Sequence, residues 1–130
     1  MILRVSSRIW VALDEIMRTL LLFYVVGSLF LIGLSLPLIG QKIRPNPFYG
    51  FRLTPVFNDE RIWYATNKYA AKWLAAGGVS VLLTAIGLYF VPGLSVDFYA
   101  LACLGVLIGV LVPGFISSYR YARSMAEEQK

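Results

Sequence analysis

Two pairs of adjacent carboxylates, Asp14 with Glu15 and Asp59 with Glu60, are the residues nearest to acid/base chemistry in this chain. A working acid/base pair needs a nucleophile or a metal as partner, and neither pair has a visible one. Histidine is absent and Cys103 is the one cysteine, so an imidazole base, a Cys/His metal cluster and an internal disulfide are excluded. Both pairs read as charges on solvated helix faces. The chain is read as a non-enzyme that needs no cofactor and no metal.

The remaining chemistry lies in a basic and aromatic stretch, residues 40–57. Lys42, Arg44 and Arg52 are interleaved there with Phe48, Tyr49, Phe51 and Phe57, among Pro45, Pro47 and Pro55. The prolines forbid a regular helix and Gly50 permits positive φ, so about 18 residues run without regular structure, a length that is commonly functional. Its aromatic content predicts a loop folded back onto the bundle mouth or dipped into the membrane interface. Arg52 can offer a planar fork to loop carbonyls, to Glu60, to a lipid phosphate or to a partner's carboxylate. Asn46 suits an Asx-type turn ahead of Pro47, and Trp63 suits an interface anchor.

The elements that must position this loop follow from composition. Of 130 residues, 58% are hydrophobic and 15% charged, and the mean hydropathy is +0.70. Residues 19–41, 73–96 and 98–119 carry no charge. Each run is long enough to cross a bilayer, which takes about 20 helical residues. The net charge of +5 therefore reads as topology signals and phospholipid contacts, and nucleic acid is excluded as a partner.

Within the first 18 residues, Ile2, Leu3, Val5, Ile9, Trp10, Leu13, Ile16 and Met17 share one helical face. Arg4, Arg8, Asp14, Glu15 and Arg18 share the other. This pattern predicts an amphipathic interfacial helix, 1–18, lying in the headgroup plane. A cleavable signal peptide fits less well, because the charged and apolar regions are too long and no small-x-small site follows. The expected fold is all-α: an integral membrane three-helix bundle preceded by that interfacial helix. Span one covers 19–39 and stops at Leu36-Pro37 and Gly40; the loop covers 40–57. A helix over 58–90, capped by Asn58, runs into span two. Pro92-Gly93 turns it into span three, 98–117, and a polar, frayed tail completes one membrane domain over 1–130.

Nine Lys and Arg residues lie in the segment between spans one and two and in the C-terminal tail, against Arg4, Arg8 and Arg18 on the other side. The positive-inside rule then puts the loop and C-terminus in the cytoplasm and the N-terminus outside. Gly105 and Gly109 form a GxxxG, and Ala76, Ser80 and Thr84 line one face of span two. Such faces let helices approach closely, within the bundle or at a homo-oligomer seam. No ionisable residue falls inside a span, which argues against a pump or coupled transporter.

Lys42-Ile43-Arg44-Pro45-Asn46, then Phe48-Tyr49-Gly50-Phe51-Arg52, then Thr54-Pro55, then Glu60, Trp63 and Asn67 ahead of small residues entering the membrane, resembles the signature of the SdpI-type bacterial membrane proteins. Here Leu53 separates Arg52 from Thr54-Pro55. The chain looks like a short member without the additional N-terminal membrane half of the family's immunity protein. The resemblance implies a multi-pass protein of the bacterial inner membrane. It implies immunity to a membrane-active peptide toxin, bound in the bilayer or at the bundle mouth through the signature residues. The alternative is a structural or regulatory subunit that docks a larger membrane assembly or a cytoplasmic regulator.

Overall fold

The computed structural model describes residues 2–51 and 59–128. Among these, three helices account for the regular structure: α1, Ile2–Ile39; α2, Glu60–Tyr89; and α3, Val96–Glu127. Each is long and apolar enough to cross a membrane.

The separate interfacial helix expected over 1–18 is not there. α1 is one helix of 38 residues, about 57 Å long, nearly twice the hydrocarbon core. The physical reason is continuity. Between Asp14 and Leu22 there is no glycine or proline, so bending into the headgroup plane would break backbone bonds that an unbroken helix keeps. The Thr19 hydroxyl donates to the Glu15 carbonyl at 2.9 Å across the expected boundary. Apolar residues at this junction also have a better use than lipid. Met17, Leu20, Leu21 and Tyr24 pack on a buried cluster of Ala85, Tyr99 and Cys103 where α2 turns into α3.

Helix ends differ from the sequence reading in two further places. Pro37 lies inside α1, not at its end. The missing Pro37 N–H frees the Gly33 carbonyl, and hydroxyls bond to carbonyls beside it: Ser35 Oγ donates to Ile32 O at 2.6 Å and Tyr49 Oη to Leu34 O. At the other end, α3 runs through Glu127 where a frayed tail was expected. That last stretch is packed, with Ala122, Met125 and Ala126 against Ile62 and Trp63 of α2.

α2 is the central helix. α1 and α3 both pack along it and barely touch one another. The adjacent Gly77 and Gly78 make this possible, each serving a different neighbour. A Cβ on Gly78 would stand 2.8 Å from Ile32 Cγ1 and 3.0 Å from the Ser28 carbonyl of α1, while one on Gly77 would stand 2.9 Å from Leu111 Cδ2 of α3. Near the far turn, Tyr24 Oη donates to Ala100 O at 2.8 Å and Tyr99 Oη to Ala85 O at 2.9 Å. Ser95 caps α3 by accepting from the Phe98 N–H, and Asp59 caps α2 by accepting from the Arg61 N–H. Asn58, expected as that cap, lies outside the described residues.

Candidate functional site

The loop leaves α1 through a Schellman-type turn. Lys42 N–H donates to Pro37 O at 3.0 Å and Gln41 N–H to Leu38 O at 3.2 Å, with Gln41 at φ 56°. The left-handed position thus falls on Gln41 and not on the neighbouring Gly40.

Beyond it, Asn46 organises the prolines. Its Oδ1 accepts from the Phe48 and Tyr49 N–H groups at 3.0 and 2.7 Å, and its Nδ2 donates to Arg44 O at 2.7 Å. This is an Asx-type turn around Pro47. It fixes Phe48 outward, 88% exposed, and Tyr49 inward, where its hydroxyl reaches Leu34 of α1. Burial pushes that hydroxyl above its ordinary value, which keeps it a donor.

Next, the chain is clamped to α2. Gly50 adopts φ 110°, and a Cβ there would lie 2.7 Å from Asn67 Oδ1 and 3.2 Å from the Trp63 ring. Conformation and space both demand glycine. Asn67 Oδ1 accepts from the Phe51 N–H, and its Nδ2 donates to Trp63 O at 3.0 Å and to Phe51 O at 3.4 Å. Trp63 Nε1 donates to Ile43 O at 2.9 Å. Trp63 is fully buried, so it is a post on which the loop rests and not an interface anchor. Gly50, Phe51, Trp63 and Asn67, spread over 18 positions of sequence, are one connected network, and Asn46 sets the turn that leads into it.

The network roofs a cavity of about 400 Å³. Leu38 of α1, Ala70, Trp73 and Leu74 of α2, and Leu111 and Phe115 of α3 form its walls, and Tyr49, Gly50 and Phe51 its roof. The Phe51 and Phe115 rings meet at 5.4 Å between centroids, joining loop to α3. On the floor Gly114 lets α3 close on Trp73, whose Cβ would lie 2.7 Å from a Cβ at that glycine. A second, wider cleft opens at the opposite end, between Trp10, Asp14 and Arg18 of α1 and the 89–97 turn.

The other predicted site residues are placed apart from this network. Lys42, Arg44 and Glu60 are exposed around the loop. Arg52, Thr54 and Pro55, and with them the effect of Leu53, lie outside the described residues. Gly105 and Gly109 are exposed with no neighbour within 4 Å of a Cβ built on either, and Ala76 is exposed as well. Ser80 is half-buried and its carbonyl accepts from Thr84 Oγ1 at 2.7 Å. Close approach inside the chain runs through Gly77, Gly78 and Gly114, which sequence reasoning missed; the Gly-Gly pair in a charge-free span was the available signal. Among the described residues no group of three or more His, Cys, Asp or Glu is placed to hold a metal.

Three apolar helices, with a loop pinned across the mouth of the bundle, define a multi-pass membrane protein. The SdpI/YfhL protein family matches residues 42–128, and the chain belongs to that family of bacterial membrane proteins. No curated protein and no solved structure matches it. The family match begins in the loop and covers the network, α2 and all of α3.

Proposed function

We propose that this chain is a non-enzymatic inner-membrane protein of the SdpI type that protects its cell from a membrane-active peptide toxin. The supporting observation is that the family match and the built site coincide. The residues that carry the signature hold an aromatic-basic loop over the bundle mouth, leaving Phe48, Lys42 and Arg44 outward. We assign toxin contact to the exposed Lys42 and Glu60 and to the signature residues Arg52, Thr54 and Pro55, and loop folding to the network beneath. The excess of Lys and Arg on the loop side supports a cytoplasmic loop and C-terminus and an external N-terminus.

The experiment is survival of a toxin-sensitive bacterium expressing the chain during exposure to a secreted, membrane-disrupting peptide, beside Arg52→Ala at matched membrane abundance. Protection that disappears in the variant supports immunity through the loop. Absence of protection from well-expressed protein overturns it.

A second reading, an interaction subunit of a larger membrane assembly, is favoured by the exposed Gly105 and Gly109, which have open space before them. It predicts a stable complex on mild extraction and a phenotype independent of toxin.

A further inference from the structure

The cavity beneath the loop has the chemistry of a lipid-tail site. Its walls are apolar, and its two buried polar side chains are already satisfied. Asn67 is taken up by Phe51 and Trp63, and Ser118 Oγ donates to Gly114 O at 2.6 Å. An occupant therefore meets no free donor or acceptor from either, and a polar ligand would lose its hydrogen bonds to water without replacement. A volume of about 400 Å³ is enough for a bound small molecule.

Position selects the occupant. On α2 the lining residues run from Asn67 to Leu74, bracketing Lys68 and Lys72 at the start of the charge-free run, and on α3 they run from Leu111 to Ser118, two residues before Arg120. The cavity thus straddles the boundary between headgroups and tails in the loop-side leaflet. Because α1 and α3 flank α2 without closing on each other, its side faces the bilayer, with Phe115 at the rim, 58% exposed.

Charge at the mouth is of one sign. Lys68 and Lys72 of α2 and Arg120 of α3 lie at this level, and Lys42 and Arg44 are exposed on the loop that roofs the cavity. The described carboxylates of the same end lie further out: Asp59 and Glu60 are about 12 Å or more beyond Lys68 along α2, and Glu127 and Glu128 are about 10 Å or more beyond Arg120 along α3. Basic residues at this depth attract anionic headgroups.

We propose that this cavity holds one acyl chain of an anionic phospholipid, with the lipid phosphate among the cations at its mouth. The bound tail completes the wall between α1 and α3 and supports the loop from below. The assignment is independent of the immunity reading.

Trp73 in the cavity wall is a built-in reporter. The full chain carrying Trp10→Phe is placed in phosphatidylcholine vesicles that contain a minor fraction of either dibrominated phosphatidylglycerol or dibrominated phosphatidylcholine. Tryptophan quenching is compared at equal fractions. The expected result is stronger quenching by the anionic lipid, removed by Ala70→Phe, which fills the cavity. Lys68→Gln with Lys72→Gln, a pair that belongs neither to the cavity lining nor to the buried core, lowers the anionic preference by about fivefold for each lysine lost.

Equal quenching by the two lipids overturns the proposal, as does an anionic excess that survives Ala70→Phe in protein of unchanged helicity. Should Ala70→Phe fail to fold, the lysine variant decides, and an unchanged preference overturns it. If the two lipids quench equally and an apolar peptide shields Trp73, the cavity is a peptide site and the lipid assignment falls.

Discussion

The side chain of Asn67 holds the backbone of Phe51 on both its polar groups, Oδ1 accepting from the N–H and Nδ2 donating to the carbonyl. One amide in the middle of a helix thereby does for the loop what a β-ladder partner does for a strand. No other neutral side chain of this length supplies donor and acceptor together at one end.

Asn67→Leu leaves the Phe51 N–H without its partner and the Trp63 carbonyl without its third-party donor. A cost of about 1–3 kcal/mol is expected. Asn67→Asp keeps the acceptor, loses the donor and buries a charge, so it is expected to be at least as severe. Both should release the loop before the helices melt. Limited proteolysis between residues 43 and 51, followed against helicity in mild detergent, checks this: early cleavage with intact helicity is the expected outcome.

Gly50→Ala meets two penalties, a positive φ and the Asn67 Oδ1 atom 2.7 Å from the new Cβ. Gly93→Ala meets the first alone, since φ is 75° with open space around it. Backbone strain costs about 1–3 kcal/mol at such positions. Denaturant titrations of the two variants should therefore place Gly50→Ala below Gly93→Ala in stability. Equal losses would mean that contact with Asn67 is not what fixes Gly50.

Much of this was legible in the sequence, for identifiable reasons. Charge-free runs report on solvation, which is a local property, so the three spans could be read directly. Asn46 before Pro47 is a local turn device, and it does what its type suggests. Residues whose roles depend on a distant partner were read less well. Trp63 has the composition of an interface anchor, but the carbonyl of Ile43 lies 20 positions away in sequence and only the fold brings it to the indole. The amphipathic first 18 residues were misread because in-plane lipid and a neighbouring helix reward the same apolar stripe. What decided the matter was the absence of a breaker near Arg18. For small residues, spacing revealed that a face can be approached closely but not whether the chain itself approaches it, which is how Gly105 and Gly109 drew attention ahead of Gly78 and Gly114.

Tyr49 links the loop to α1 through the Leu34 carbonyl, and burial raises its hydroxyl above 10.0. The folded state holds this proton more tightly than the unfolded state. Its contribution to loop docking is therefore fully present below pH 10 and is lost as pH rises through the folded value. Tyr49→Phe removes the bond at every pH, at a cost of about 1 kcal/mol. Subtracting the tyrosinate absorbance titration of Tyr49→Phe from that of the parent isolates this one group. Its midpoint should lie above 10.0, and a midpoint at or below that value would sever the link between burial and docking.

Gln41 occupies the left-handed position of the α1 turn at φ 56°. Glycine there removes a side-chain penalty of about 1–2 kcal/mol and returns about half of it as unfolded-state entropy. Gln41→Gly is expected to stabilise the protein by roughly 0.5 kcal/mol, read as a higher midpoint of thermal unfolding. A lower midpoint would show that the Gln41 side chain has a favourable role that outweighs its backbone.

Three span glycines that matter, Gly77, Gly78 and Gly114, and two that do not, Gly105 and Gly109, can be separated by the atom a methyl group would meet. At Gly78 and Gly114 it meets fixed atoms, the Ser28 carbonyl at 3.0 Å and Trp73 Cβ at 2.7 Å. At Gly77 it meets the movable end of Leu111 at 2.9 Å, and at Gly105 and Gly109 it meets nothing within 4 Å. Alanine is thus expected to cost about 1–3 kcal/mol at Gly78 and at Gly114, where backbones must separate. Gly77→Ala should cost less because a leucine rotamer can yield, whereas Gly105→Ala and Gly109→Ala should stay within about 0.5 kcal/mol of the parent. Detergent unfolding of the five variants as isolated chains tests the order. The same Gly105→Ala and Gly109→Ala proteins, returned to bilayers and cross-linked, carry a second result. Unchanged stability with loss of a cross-linked species would mean that this open face meets another membrane helix, and unchanged stability with unchanged cross-linking would leave it facing lipid.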